Sequence, residues 1–335
     1  MTELKKPRMA VVGSSHWHHK FYRETIARDA ELVAYSDPSR SKLDEVRSFY
    51  GDTGHLDWHE LLDDSLKLDA VMVMGPHSQM KEVCLAFIER RIPIILEKPG
   101  GMNADEVGEI RRAAEVNEVP VAVAFIQRAG NLWGSLQKLG ALDYATFIFQ
   151  SGPPERYINQ SPWALERKYA GGGSFINLAV HYIDLFLEAT SATTLTVQGQ
   201  MQYRLSSAYD VEDRSSALIT TPEGVSAVLE VGYTFPTCPE FRYLSYSARG
   251  KDGFMAMDRN GDIAITSVKG ESDVVNANVD SGPLTSIFMA AAIAGIANRF
   301  EGLAGIADLH RTMQVVDAAY ESAEKGTAVT VQIAR

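Results

Sequence analysis

The sequence predicts an α/β protein: an N-terminal Rossmann-type, doubly wound parallel sheet, then a C-terminal α/β domain with a large, mostly antiparallel open sheet. Three observations carry that reading. Up to about residue 125, short apolar runs ending at glycine, proline or aspartate alternate with amphipathic stretches, the pattern of right-handed βαβ units. The second half instead strings together β-rich segments joined by turns such as Pro222-Glu223-Gly224, as an antiparallel sheet requires. Between these patterns, Pro93-Ile94-Ile95-Leu96-Glu97-Lys98-Pro99-Gly100-Gly101 ends a buried strand in a charged pair, at the carboxyl edge where open parallel sheets bind ligands.

The first strand is Met9 to Val12, closed by Gly13, and Ser14 to His19 lead into a helix over about Phe21–Ala27. Glu31–Ser36 is the second strand, ended by Asp37-Pro38, with a helix from Ser41 to Tyr50 after it. A strand at Ala70–Met74 stops at Gly75-Pro76, and Gln79–Arg90 has helical spacing, with Met80, Val83, Cys84 and Phe87 on one face. The strand through Leu96, a helix at Ala104–Val116 and a strand at Val119–Phe125 complete the first domain, residues 1–126.

The second domain, 127–335, opens with a strand at Thr146–Gln150 and a loop from Pro153 to Arg167 carrying Arg156, Tyr157, Trp163 and Arg167. Aromatics and arginines on a loop suit a polyhydroxylated ligand, or a protein interface. Gly171-Gly172-Gly173 then free the backbone to approach a ligand, and Ser174 is placed to cap the following helix. On that helix Asn177, His181 and Asp184 share one face. Strands follow at Thr194–Tyr203, Ser215–Thr221, Val225–Tyr233, Phe241–Arg249 and Ile263–Val268, with closing helices at Ile287–Phe300 and Ala304–Ala323.

Composition narrows the partners. With 45% hydrophobic and 22% charged residues the chain is an ordinary globular protein, long enough for two cores. A net charge of −11 argues against nucleic acid or an anionic membrane surface. Cys84 and Cys238 do not make a disulfide framework or a metal site and read as buried thiols. The lead into the first strand lacks the apolar stretch of a signal peptide, and the run Ile287–Ala297 is too short to span a bilayer. A cytoplasmic protein is the expectation.

In a doubly wound sheet the first strand-to-helix turn binds a dinucleotide pyrophosphate, usually through G-x-G-x-x-G. Here the turn reads Gly13-Ser14-Ser15-His16-Trp17-His18, keeping the first glycine alone. Ser15 still permits close phosphate approach. Asp37, roughly 20 residues on, is placed for an adenosine ribose hydroxyl, which favours NAD over NADP, or for capping the turn at Pro38. Ser36, Ser39 and Arg40 nearby leave NADP open. His16, His18 and His19 lack the carboxylate or cysteine pattern of a metal site, so no metal is assigned; His16 reads as loop polarity or as a neighbour of the nicotinamide.

These residues resemble the Gfo/Idh/MocA family of glucose–fructose oxidoreductases and inositol dehydrogenases. Glu97-Lys98-Pro99 is similar to its glutamate–lysine–proline motif, and the glycine run leading to His181 and Asp184 to its second motif. Asp37, Pro76, Arg128, Val211-Glu212-Asp213, Gly250 and Gly253 follow in family order. The resemblance implies hydride transfer between NAD or NADP and a carbinol or carbonyl carbon of a sugar, cyclitol or related polyol, in a homodimer or homotetramer. It implies that Lys98 bridges cofactor and substrate and that His181 is the general acid/base. Asn177 completes the catalytic set, standing where the family usually has aspartate and orienting the imidazole without charging it. The cofactor falls to Gly13, Ser14, Ser15, His16, Trp17, Asp37, Pro76, Glu97 and Lys98, and the substrate to Arg128, Tyr157, Trp163 and His181. Met80, where the family often has histidine, reads as core. The altered glycine turn and Asn177 also suit a non-catalytic ligand sensor, and the resemblance leaves open a redox-neutral, NAD-using enzyme of glycosidase type.

Overall fold

The computed structural model describes residues 5–205, 208–236, 242–278 and 280–333. Cys238, and Phe241 at the start of one expected strand, lie outside them. The strands are β1 (Arg8–Val12), β2 (Glu31–Ser36), β3 (Gly54–His55), β4 (Ala70–Val73), β5 (Ile94–Leu96), β6 (Val121–Val123), β7 (Leu142–Gln150), β8 (Thr194–Gln202), β9 (Arg214–Thr220), β10 (Ser226–Gly232), β11 (Tyr243–Gly250), β12 (Gly253–Met257), β13 (Asp262–Ser267), β14 (Ser272–Asn276) and β15 (Val329–Gln332). The helices are α1 (His19–Asp29), α2 (Arg40–Tyr50), α3 (His77–Glu89), α4 (Ala104–Asn117), α5 (Asn131–Gln137), α6 (Arg167–Ala170), α7 (Val180–Thr190), α8 (Gly282–Gly295) and α9 (Ile306–Lys325).

The first sheet runs in the order β3-β2-β1-β4-β5-β6, every neighbouring pair parallel. Its topological reversal falls between β1 and β4, where Val11 pairs with Tyr35 on one side and Met72 on the other. The strands are apolar on both faces because both are covered. Met9 and Val11 join the layer of α1 and α2, while Ala10 and Val12 join that of α3 and α4, where Met80 is buried as expected.

The second sheet runs β14-β13-β12-β11-β7-β10-β9-β8-β15. It is antiparallel except at β7 and β10, which are parallel with Phe147 opposite Leu229. The inner face packs on α7 and α9. Three strands of this sheet, and the two-residue β3 of the first, escaped the sequence reading. β14 and β15 are too exposed to show apolar alternation, and β12 follows directly from a tight turn at Gly250 and Gly253. Helix α8 does not stay with its own domain: Leu284, Phe288, Met289 and Ile293 pack into the layer of Met9, Val11, Tyr22 and Ile26. Side chains of this size contribute roughly 1.5–3 kcal/mol each when fully buried. Cys84 is a free, buried thiol. Among the described residues, no helix is long and apolar enough to cross a membrane.

Candidate active site

β5 is only three residues long, and its continuation carries Glu97 and Lys98 off the sheet edge and into the interior, 1% and 3% exposed; the Lys98–Pro99 peptide is cis. The Lys98 ammonium donates to the Asn177 side-chain Oδ1 and to the Asn177 carbonyl, both at 2.7 Å. Asn177 lies in a π-helical turn, Phe175–Ala179, ahead of α7, where the regular intrahelical pairing is interrupted. The Asn177 amide donates to the hydroxyls of Tyr157 at 2.9 Å and Tyr233 at 2.8 Å. Asparagine fits here because only an amide accepts from an ammonium while donating to two hydroxyls.

Beside this group lies a cavity of about 390 Å³ between the domains, lined among others by Trp17, His18, Lys98, Tyr157, Asn177 and His181. His181 is 8% exposed, meets the edge of Phe125, and leaves its buried Nδ1 without a partner. Glu97 accepts from the Tyr22 hydroxyl at 2.6 Å and lies 3.1 Å from His18 Nδ1. An ionised carboxylate only accepts, which assigns a proton to that nitrogen.

Burial sets the charges. It opposes ionisation of Glu97, but the His18 imidazole and the Lys98 ammonium hold the carboxyl well below its usual range. Lys98 is lowered to about 8 by burial, with Glu97 opposing. His181 is pushed well below the usual histidine value by burial and then by Lys98, and His18 is lowered mainly by burial. At neutral pH the site therefore holds a carboxylate, a largely charged lysine and neutral imidazoles.

The turn after β1 fits a dinucleotide in its backbone but not in all its side chains. Gly13 has φ +80°, and a Cβ there would lie 2.3 Å from the Met74 carbonyl, so glycine is required for β1 and β4 to approach. The hydroxyls of Ser14 and Ser36 are buried without a partner, which fits a polar ligand along this edge. Asp37 accepts from the backbone N–H of Ser15 at 2.7 Å and of Ser39 at 3.0 Å, so it caps the turn and retains lone pairs for a ribose hydroxyl. Pro76 precedes α3. His16 stacks on Trp17 at 4.0 Å, and both pack against Trp163 of the second domain. His19 bonds the Tyr50 hydroxyl at 2.8 Å.

Several expected roles are corrected. Arg128 does not line the cavity: its guanidinium pairs with Asp184 at 2.6 and 2.7 Å and approaches Glu188 and Asp308, fastening the domain crossing to α7 and α9. Trp163 packs on His16, Trp17 and His77 instead of lining the cavity. Asn177 turns to Lys98 and does not orient His181, because the π turn breaks the regular helical stripe. The glycine run approaches protein: a Cβ on Gly173 would fall 2.1 Å from the Glu212 carbonyl, and the Glu212 carboxylate accepts from the N–H groups of Gly173 and Phe175. Ser174 bonds the Ser215 hydroxyl and does not cap the helix.

The sequence reading passed over Tyr22, His77, Tyr233 and Arg242. His77 directly follows Pro76 and is buried, with Nδ1 2.7 Å from the Ala170 carbonyl; burial lowers it to about 3. A polar residue at the edge of β4 was a usable signal. Tyr22, on the helix just after the first turn, reads as core, and Tyr233 and Arg242 reach the site from distant segments and carried no signal.

Comparison with known proteins agrees with this architecture. Residues 7–125 match the oxidoreductase family with an NAD-binding Rossmann fold, and residues 136–254 match the GFO/IDH/MocA C-terminal domain. Scyllo-inositol 2-dehydrogenase (NAD(+)) of Bacillus subtilis (strain 168) is 23% identical over 279 residues, covering 79% of this chain and 78% of that protein. Levoglucosan dehydrogenase, solved with NADH and levoglucosan, superposes with a TM-score of 0.85 at 16% identity, covering 99% of this chain and 100% of that one. An inositol dehydrogenase homolog from Azotobacter vinelandii, solved with NAD+, gives 0.82 at 17% identity, covering 99% and 98%. With one family domain matched in each half and the two laid out in the same order, the chain belongs to the GFO/IDH/MocA family of oxidoreductases.

Proposed function

We propose that this chain is an NAD-dependent dehydrogenase acting on a carbinol of a sugar, cyclitol or related polyol, or reducing the corresponding carbonyl. One observation carries the reading: Lys98, from the edge of the parallel sheet, and His181, from the second domain, line one cavity, with Asn177 bonded to the lysine. Oxidising a secondary alcohol needs a base for the hydroxyl proton and a donor for the oxygen as charge develops on it. His181 is the base in this reading, and the Lys98 ammonium is the donor. Bound NAD supplies the hydride acceptor. The Gly13–Trp17 turn, Asp37, Pro76 and Glu97 are the residues assigned to hold it; the carboxylate of Asp37 favours NAD over a 2′-phosphorylated cofactor.

A second reading of the base is favoured by one contact. His18 lines the same cavity and has the carboxylate partner that His181 lacks. Assembly as a homodimer or homotetramer is supported by the outer face of the second sheet, where Tyr144, Leu218, Val228 and Phe254 are exposed.

The test is a screen of sugars and cyclitols with NAD and NADP, read by absorbance of the reduced nicotinamide, beside cofactor binding by fluorescence. Turnover abolished by Lys98→Ala supports the proposal. Absence of nicotinamide binding overturns it; a sensor would bind without turnover, and a redox-neutral enzyme would form product without net NADH.

A further inference from the structure

The cavity holds positive charge that its own residues do not balance. Arg156 and Arg242 both line it, within a chain of net charge −11. Arg156 donates to the hydroxyls of Ser151 and Tyr157, lies over the rings of Tyr157 and Tyr233, and leaves a buried Nε without a partner. Arg242 donates to the Ser281 hydroxyl at 3.0 Å and sits 5.9 Å from the Phe149 ring centroid. Hydroxyls and rings satisfy geometry but do not neutralise a guanidinium. Burial and then the charge of Arg156 both disfavour the cation on Arg242, with Asp280 opposing. Glu155 is the carboxylate that shares the cavity lining with them, and Glu97 is committed to Lys98, His18 and Tyr22. Two guanidiniums held in this way are costly without an anion, and a ligand supplies one on binding.

We propose that the substrate is a sugar acid, whose carboxylate lies between Arg156 and Arg242 while a carbinol carbon faces Lys98 and His181. The inference rests on the dehydrogenase reading above and narrows its substrate. A planar carboxylate matches the guanidinium fork. Two of the five Arg156 N–H groups go to Ser151 and Tyr157, which leaves donors for one carboxylate.

The experiment measures binding by calorimetry to the NAD-saturated protein, and turnover, for gluconate, galactonate and xylonate against glucitol, galactitol and xylitol, with glucose 6-phosphate as a further arm. At least one aldonate should bind about 30-fold or more tighter than its alditol. Arg242→Gln should cut that aldonate-to-alditol ratio by roughly 10- to 100-fold, and Arg242→Lys by less. Thermal unfolding checks that the variants fold; if they do not, the wild-type ratio decides. Equal or tighter alditol binding, no aldonate binding, tighter sugar phosphate binding, or an unchanged ratio in a folded Arg242→Gln protein overturns the proposal. Arg242-dependent aldonate binding without NADH formation would instead sink the dehydrogenase reading and leave the anion site standing.

Discussion

Changing Asn177 to aspartate places a carboxylate oxygen where the amide oxygen now lies 2.7 Å from the Lys98 ammonium. At that separation and an effective dielectric constant of about 20, the attraction is about 6 kcal/mol. Desolvating the new carboxylate takes back several kcal/mol, which leaves a net rise of roughly 1–3 pH units for the lysine. The neighbourhood tolerates the change, because the hydroxyls of Tyr157 and Tyr233, which now accept from the amide, rotate to donate instead. Lys98 starts at about 8. If the ammonium is the form that works, wild-type turnover falls above pH 8, and at pH 9 about a tenth of the lysine remains charged. Asn177→Asp moves that falling limb up, so its rate at pH 9 relative to pH 7 should exceed the wild-type ratio by roughly fivefold or more. The assay is kcat/KM for polyol oxidation from pH 6 to 10. An alkaline limb that stays in place would refute both the assignment of Lys98 to it and the contact with residue 177.

Other expectations follow from the same geometry. His181→Ala should lower turnover by roughly two to four orders of magnitude with NAD affinity little changed; if His18→Gln has that effect and His181→Ala does not, His18 is the base. Arg128→Met leaves Asp184, 2% exposed, with its main partner gone, and should cost about 3–5 kcal/mol in urea unfolding, while NAD affinity stays near wild type. Gly13→Ala, at φ +80° and against the Met74 carbonyl, should destabilise by about 2 kcal/mol or more and weaken NAD binding by calorimetry; unchanged stability would mean that the turn relaxes easily.

The parallel sheet was legible because its buried strands are short apolar runs ending in glycine, proline or aspartate, and Lys98 stood out because it lies two residues past the end of one such apolar run. The second domain was half legible. Strands with one buried face, such as β9 and β10, alternate, whereas β14 does not. The site was harder. Spacing placed Asn177, His181 and Asp184 together, yet a π turn, invisible in apolar periodicity, sends them to Lys98, the cavity and Arg128. Arg128 looked like a ligand residue because a sequence cannot show that three acids from α7 and α9 converge on it. Arg242 was hidden for the opposite reason: an arginine in a β-rich segment reads as solvated surface.

The return of α8 to the first sheet means that the two lobes are interleaved rather than strung in series. Cutting the chain after residue 126 would strip Phe288, Met289 and Ile293 from Met9 and Val11 and leave a greasy half-sandwich prone to precipitate. Any swing of one lobe against the other would have to carry this helix along, across a doubly stitched seam instead of a free joint.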